Sequence, residues 1–179
     1  MIENTTAPAG LPDIEQDPAF AKCVAFLASL GICISYQPLP DGTFLPGISI
    51  EAGKIIIDKS KFLFPGDILH EAAHIAVVPA ADRDTLDASS IAQRPHSEAE
   101  EMMAIAWSYA ACVHLELDPY FVFHDKGYKG GGTYIADNFK EKRYFGLPML
   151  QWKGMALDEQ QAARQNSQPY PHMLKWMLD

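Results

Sequence analysis

Long apolar runs are missing from this sequence: nowhere do apolar residues continue for the roughly 18 positions that a membrane-spanning helix needs. The first residues, MIENTTAPAGLPDIEQDP, hold neither a basic segment nor an apolar one, so no signal peptide is expected and the chain is assigned to the cytoplasm. Basic residues are few, 14 Lys and Arg against 23 Asp and Glu, and no Lys or Arg cluster offsets the formal net charge of -9. A nucleic-acid partner, which normally meets a basic face, is therefore not expected. Cysteine is scarce as well. Cys23, Cys33 and Cys112 are an odd count with no C-x-x-C spacing, which excludes a disulfide framework and reads as reduced core thiols. The glycine cluster Gly127 to Gly132 lacks the G-x-x-x-x-G-K-[ST] pattern that cradles phosphate. What remains is 179 residues of ordinary globular composition, 48% hydrophobic and 21% charged, enough for one domain.

The chemistry-bearing stretch is Gly66 to Pro79, GDILHEAAHIAVVP, in which His70, Glu71 and His74 spell H-E-x-x-H. Residues four apart lie on one face of a helix, so His70 and His74 direct their imidazoles at one point. A catalytic zinc ion takes three protein ligands and keeps its fourth position for water, whose pKa falls to about 7. Glu71, beside the first histidine, is placed to accept a proton from that water rather than to bind the ion. Ile68, Leu69, Ala72, Ala73, Ile75, Val77 and Val78 surround the three polar residues, so the helix is expected to be buried on most of its circumference. Burying such groups unpartnered costs roughly 1–3 kcal/mol each, and a metal ion removes that cost.

Around this helix the chain reads as α+β. Residues 1–15 are small, polar and proline-rich and form a loose tail, and residues 16–179 form a single domain. Asp17-Pro18 opens an amphipathic helix over residues 18 to 30 that Gly31 stops. A β-like segment at Ile32 to Tyr36 follows, then a hairpin of Gly47 to Ile50 and Lys54 to Asp58. An edge of that small antiparallel or mixed sheet is suited to line a cleft and take an extended peptide. Pro79 ends the histidine helix, and residues 80 to 96 are expected to form a polar loop with one short helix.

The next long helix begins at Ser97 and ends before Asp118-Pro119. Ser97 and Glu100 form the pattern of a capping box, with Ser97 as cap and Glu100 at N3. Three glutamates there compete to be the third metal ligand. Glu100 has the capping task, and Glu98 is accounted for as a charge at the helix N-terminus. Glu101 leads a face of small side chains, Ala104, Ser108, Ala111 and Cys112, that lets this helix approach the histidine helix closely. Glu101 is favoured, with Glu98 next, while His96 and His114 read as a loop residue and a partly exposed helix residue.

The helix ending in Leu-Gly-Ile, the hairpin with its Ile-Ile-Ile-Asp strand, the run Leu-His-Glu-Ala-Ala-His-Ile and the glutamate-rich helix start together resemble the core of the ImmA/IrrE-type zinc metallopeptidases. These are minimal relatives of the thermolysin-like gluzincins, and the likeness covers residues from about 20 to 117. It implies a zincin-like core, zinc held by His70, His74 and Glu101, and water activated by Glu71.

Residues 119–179 lie outside the resemblance and are expected to form a helical cover, with helical patterns at residues 134–142, 148–152 and 158–165. His124, Tyr128, Tyr134 and Tyr144 are candidates for the donor that stabilises an oxyanion, with none singled out. The function expected is zinc-dependent hydrolysis of a peptide or related amide bond in a peptide or protein substrate. The alternatives are a metal-stabilised regulatory or binding module without turnover, and a zinc hydrolase of a non-peptide substrate.

Overall fold

Asp17 accepts a hydrogen bond from the Ala19 amide at 2.8 Å, and Pro18 follows at the first helical position, so α1 (Pro18–Ser29) starts where its sequence directs. The computed structural model describes residues 14–179. The expected tail thus falls outside the described residues as far as residue 13, and Ile14 already belongs to the core at 4% exposure. Phe20, Cys23, Phe26 and Leu27 are the buried positions of α1, recurring at helical spacing.

Three short strands follow, β1 (Ile34–Tyr36), β2 (Ile48–Glu51) and β3 (Lys54–Ile57). They form a mixed sheet in the order β1-β3-β2, with β1 parallel and β2 antiparallel to β3. Ala52 and Gly53 join β2 to β3 with both φ angles positive, as a two-residue hairpin turn requires. Ile48 faces Ile57 and Ile50 faces Ile55 across the pair, and all four are buried against the helices.

The histidine helix, α2 (Asp67–Ala76), packs on β2, β3 and above all on α5 (Ser97–His114). Its facing side chains are small. Ala72, Ala73 and Ala76 on α2 and Ala104, Ala111 and Cys112 on α5 are all fully buried, and the Ser108 hydroxyl donates to Ala104 O at 2.8 Å, 3.5 Å from Leu69 O of α2. Between them, residues 80–96 hold two one-turn helices, α3 (Ala80–Arg83) and α4 (Ala88–Ile91), where one was expected.

The remaining helices are α6 (Gly132–Lys140), α7 (Leu147–Trp152) and α8 (Glu159–Gln165), making eight α-helices with a three-stranded sheet among the described residues. Residues 119–179 are built into the core as well as covering it: Phe139, Leu150, Met155, Tyr170 and Met173 belong to the same buried cluster as α2 and α5. Beyond α8 the chain straps across both central helices. Tyr170 donates to Ala106 O, Trp107 Nε1 donates to Trp176 O, and the Leu178 amide donates to Ala76 O at the end of α2, each at 2.8–2.9 Å.

Two sequence expectations are corrected. The capping box at Ser97 does not form, because the Glu100 amide bonds back to His96 O and makes His96 the cap residue, one position early. Glu100 then falls outside N3, and its carboxylate turns to Arg94 instead, through Nε at 2.6 Å and Nη2 at 3.0 Å. Cys33 is exposed rather than in the core, since it precedes β1 at the sheet's edge; Cys23 and Cys112 are buried. Burial pushes the Cys23 thiol up to about 12. No helix among the described residues is long and apolar enough to cross a membrane.

Candidate metal centre

α2 and α5 cross so that one turn of each contributes to a single polar group inside an apolar contact. His70 and His74 project from the same face of α2, their rings 4.7 Å apart and close to perpendicular. Glu101 reaches between them from α5: one carboxylate oxygen lies 3.6 Å from His70 Nε2, the other 3.4 Å from His74 Nε2. The three candidate ligand atoms all lie within 4.8 Å of one another. Ligands about 2.0–2.1 Å from a tetrahedral zinc ion are separated by roughly 3.4 Å, so the two nitrogen–oxygen spacings fit such an ion. No fourth His, Cys, Asp or Glu among the described residues joins the group.

Glu98 points to solvent, and Glu100 is held by Arg94, which also reaches Asp82 at 2.9 Å. His96 and His114 are exposed, His114 packing on Phe26 and Trp176. The group therefore contains Glu101 and none of the other glutamates or histidines weighed from the sequence.

Burial sets the charge state of the trio. Desolvation holds His74 down to about 4, and desolvation with the neighbouring His74 holds His70 well below the ordinary imidazole value. Desolvation also raises Glu101. Without a cation the histidines are neutral lone-pair donors at pH 7, the form in which imidazole binds metal. Glu71, on the same turn, is pushed up to about 8 by burial and then by the charges of Asp67 and Glu101. Three carboxylates thus crowd one apolar pocket, an arrangement that a divalent ion neutralises. Solvent reaches the group by way of Glu101, whose side chain is 44% exposed, against 11% for His70 and 8% for His74.

The segment after α5 runs across the N-terminus of α2. It approaches so closely that a Cβ on Gly66 would stand 1.9 Å from Phe121 O, and one on Gly132 would stand 2.3 Å from His124 O. This approach seats His124. Its ring stacks on Phe64 at 4.0 Å, its Nδ1 accepts from the Gly127 amide at 3.1 Å, and its Nε2 lies 2.9 Å from Asp67 Oδ1. With Nδ1 used as acceptor, the neutral ring carries its proton on Nε2 and donates to Asp67.

Tyr128 follows, its ring 5.2 Å from the His70 ring and 5.3 Å from Phe123. Burial, then the charges of Asp67, Glu101 and Glu71, hold its hydroxyl well above the ordinary phenol value, so it stays a donor. Of the four donor candidates, His124 and Tyr128 stand at this centre. Tyr134 is 72% exposed, and Tyr144 packs among Tyr109, Phe139 and Tyr170.

Asp67 is the residue that sequence reasoning passed over. An aspartate in the first turn of a helix has a sufficient account in the helix dipole, and its partner His124 is 57 residues away. Two buried atoms at the centre have no hydrogen-bond partner: Asp67 Oδ2 and His70 Nδ1. Two open surface hollows, one between residues 40–47 and 60–63 and one between residues 22–29 and 114–116, include none of these residues. Comparison of the chain with protein-family models, with curated proteins and with solved structures finds no match.

Proposed function

We propose that His70, His74 and Glu101 hold a zinc ion and that the protein is a zinc-dependent hydrolase of peptide or related amide bonds, built on a zincin-like core. The observation that carries this reading is a three-ligand group, two nitrogens and one carboxylate, with no fourth protein ligand among the described residues and a buried carboxylate, Glu71, on the same helical turn. A structural zinc site closes its fourth position with protein; a catalytic one leaves it open. The order helix, hairpin, histidine helix, glutamate helix is also that of the ImmA/IrrE-type gluzincins the sequence resembles.

A bound zinc ion supplies a Lewis acid for the scissile carbonyl and acidifies water at the open position. The chain's own residues do the remainder. Glu71, held up to about 8 without metal, would be ionised by the charge of a divalent ion beside it, and its carboxylate would then accept the proton of the attacking water and return it to the amine nitrogen as the C–N bond breaks. The burial of His70 and His74, 11% and 8% exposed, lowers the local dielectric and strengthens the electrostatic interactions on their side of the group. Tyr128, protonated and with its ring beside that of His70, is the donor we assign to a developing oxyanion.

The test is Glu71→Gln, zinc-loaded beside wild type, incubated with a proteome-derived peptide library and read by mass spectrometry. Wild type yields new termini, and the variant keeps its zinc but loses cleavage by at least about a hundredfold. Equal cleavage by both proteins refutes the mechanism. Bound zinc with no cleavage by wild type points to the regulatory module or to a non-peptide substrate.

A further inference from the structure

Zinc bound through Nε2 of a histidine forces the ring proton onto Nδ1, and a buried N–H then needs an acceptor. At His74 the structure leaves no such atom stranded; at His70 it does. His70 Nδ1 is buried without a partner, and the other buried side-chain atom in that condition among the described residues is Asp67 Oδ2, an acceptor. The two residues are three apart on α2, so their side chains are neighbours on one face of the helix. No nitrogen–oxygen contact within 4.0 Å joins the two side chains, so this lone buried acceptor and lone buried donor, one turn apart, need one bridging water to complete each other.

We propose that Asp67 is a positioning residue of the metal centre: its Oδ2 takes the Nδ1–H of His70 through one buried water, while His124 fixes its Oδ1. This inference rests on the metal reading above and extends it by a chain, His124 to Asp67 to His70, running from the segment after α5 into the ligand set. Each link fixes the next. The Gly127 amide sets the tautomer of His124, His124 Nε2–H orients the Asp67 carboxylate, and the free oxygen of that carboxylate selects the His70 tautomer whose Nε2 lone pair faces Glu101. Asp67 can do this because a carboxylate accepts through two oxygens at once. Asparagine at this position offers one oxygen to two donors and satisfies one of them.

The test compares wild type, Asp67→Asn, Asp67→Ala and His124→Phe on two readouts. The first is zinc affinity by chelator competition. The second is the Nδ1–H signal of zinc-bound His70 in protein labelled with 15N-histidine, assigned with a His70→Gln sample, and its rate of exchange with solvent. Asp67→Ala is expected to weaken zinc binding about 10–100-fold and to leave the His70 proton fast-exchanging, with Asp67→Asn in between. His124→Phe keeps the stack on Phe64 and is expected to lower affinity less than Asp67→Ala, with the His70 signal retained. Where Asp67→Ala does not fold, the isosteric Asp67→Asn decides by the same two readouts. Affinity within about twofold of wild type in the Asp67 variants, or an unchanged His70 exchange rate, overturns the proposal while leaving the zinc site standing. Wild type that binds no zinc overturns both.

Discussion

Replacing Glu101 by alanine separates a metal ligand from a structural carboxylate, because the two roles move stability in opposite directions. A four-ligand zinc centre in a folded peptide amounts to about 10–16 kcal/mol at pH 7, or roughly 3 kcal/mol per ligand, so losing one ligand lowers affinity about a hundredfold. Glu101 is the residue whose two oxygens face both histidines, at 3.6 and 3.4 Å, and the methyl group of an alanine offers neither of them a partner. The metal-free protein behaves otherwise. There Glu101 is a carboxylate raised by burial that also raises Glu71, so its removal relieves desolvation and like-charge repulsion. Metal-free Glu101→Ala should therefore melt no lower than metal-free wild type. At a zinc concentration about 100 times the wild-type Kd, wild type gains about 2.7 kcal/mol by linkage, whereas the variant, near its own Kd, gains about 0.4 kcal/mol. For a chain of this length that separates Tm rises of about 5–10 °C and about 1 °C. The assay is thermal unfolding with and without zinc, with metal content by elemental analysis and Glu98→Ala as the exposed control. Equal zinc-dependent Tm rises in wild type and Glu101→Ala refute the ligand assignment, and a loss confined to Glu98→Ala moves it to Glu98.

Three further outcomes follow from the same geometry. In the metal-free protein, Glu71 titrates near 8 when folded and near 4.5 when unfolded, so the folded state holds the extra proton and stability falls as pH rises between those values. The buried histidines give the opposite slope, but only below about 6.5. From about pH 6.5 to 8 the loss due to Glu71 is roughly 1.5 kcal/mol, and urea midpoints of chelated Glu71→Gln should lack it; parallel profiles would count against a buried Glu71. Gly66→Ala places a Cβ 1.9 Å from Phe121 O, and backbone cannot yield cheaply, so a loss of about 3 kcal/mol is expected by urea unfolding; a loss under about 1 kcal/mol contradicts the close approach. Arg94→Ala leaves the nearly buried Glu100 carboxylate without its guanidinium and should cost about 3 kcal/mol, a Tm drop of about 10 °C, most of which Glu100→Gln in the same chain restores.

What was legible in the sequence was what neighbouring residues decide. Asp17-Pro18 and Gly31 bracketed α1 to within a residue, Ala52-Gly53 marked the hairpin turn, and the small face behind Glu101 foretold its approach to α2. Pro79 set a limit for α2, which ends slightly earlier at Ala76. What was not legible depends on residues far apart in the chain. The parallel pairing of β1 with β3 skips a strand and leaves no periodic trace. Arg94 drew Glu100 away from a capping register that looked sound locally, since a bidentate ion pair outweighs one cap bond. The Asp67–His124 contact is of the same kind. Each residue has an ordinary local explanation, and only folding makes them partners.

The strap beyond α8 has a consequence for how the metal centre comes to exist. α2 spans ten residues, too few to persist alone in water, and its last carbonyls are satisfied from outside the helix: Ala76 O by the Leu178 amide and Ile75 O by Arg83, whose guanidinium also donates to Val78 O and, in the strap, to Leu178 O. Tyr170 and Trp176 tie the same strap to α5 across 64 and 69 residues. Such contacts close large loops, so they form late and slowly during folding. A nascent chain that already displays His70, Glu71, His74 and Glu101 still lacks the docked residues that hold the two helices in register. Zinc uptake in a refolding experiment should then track the slowest phase, the arrival of residues 170–178, rather than the early collapse of α1 and the hairpin.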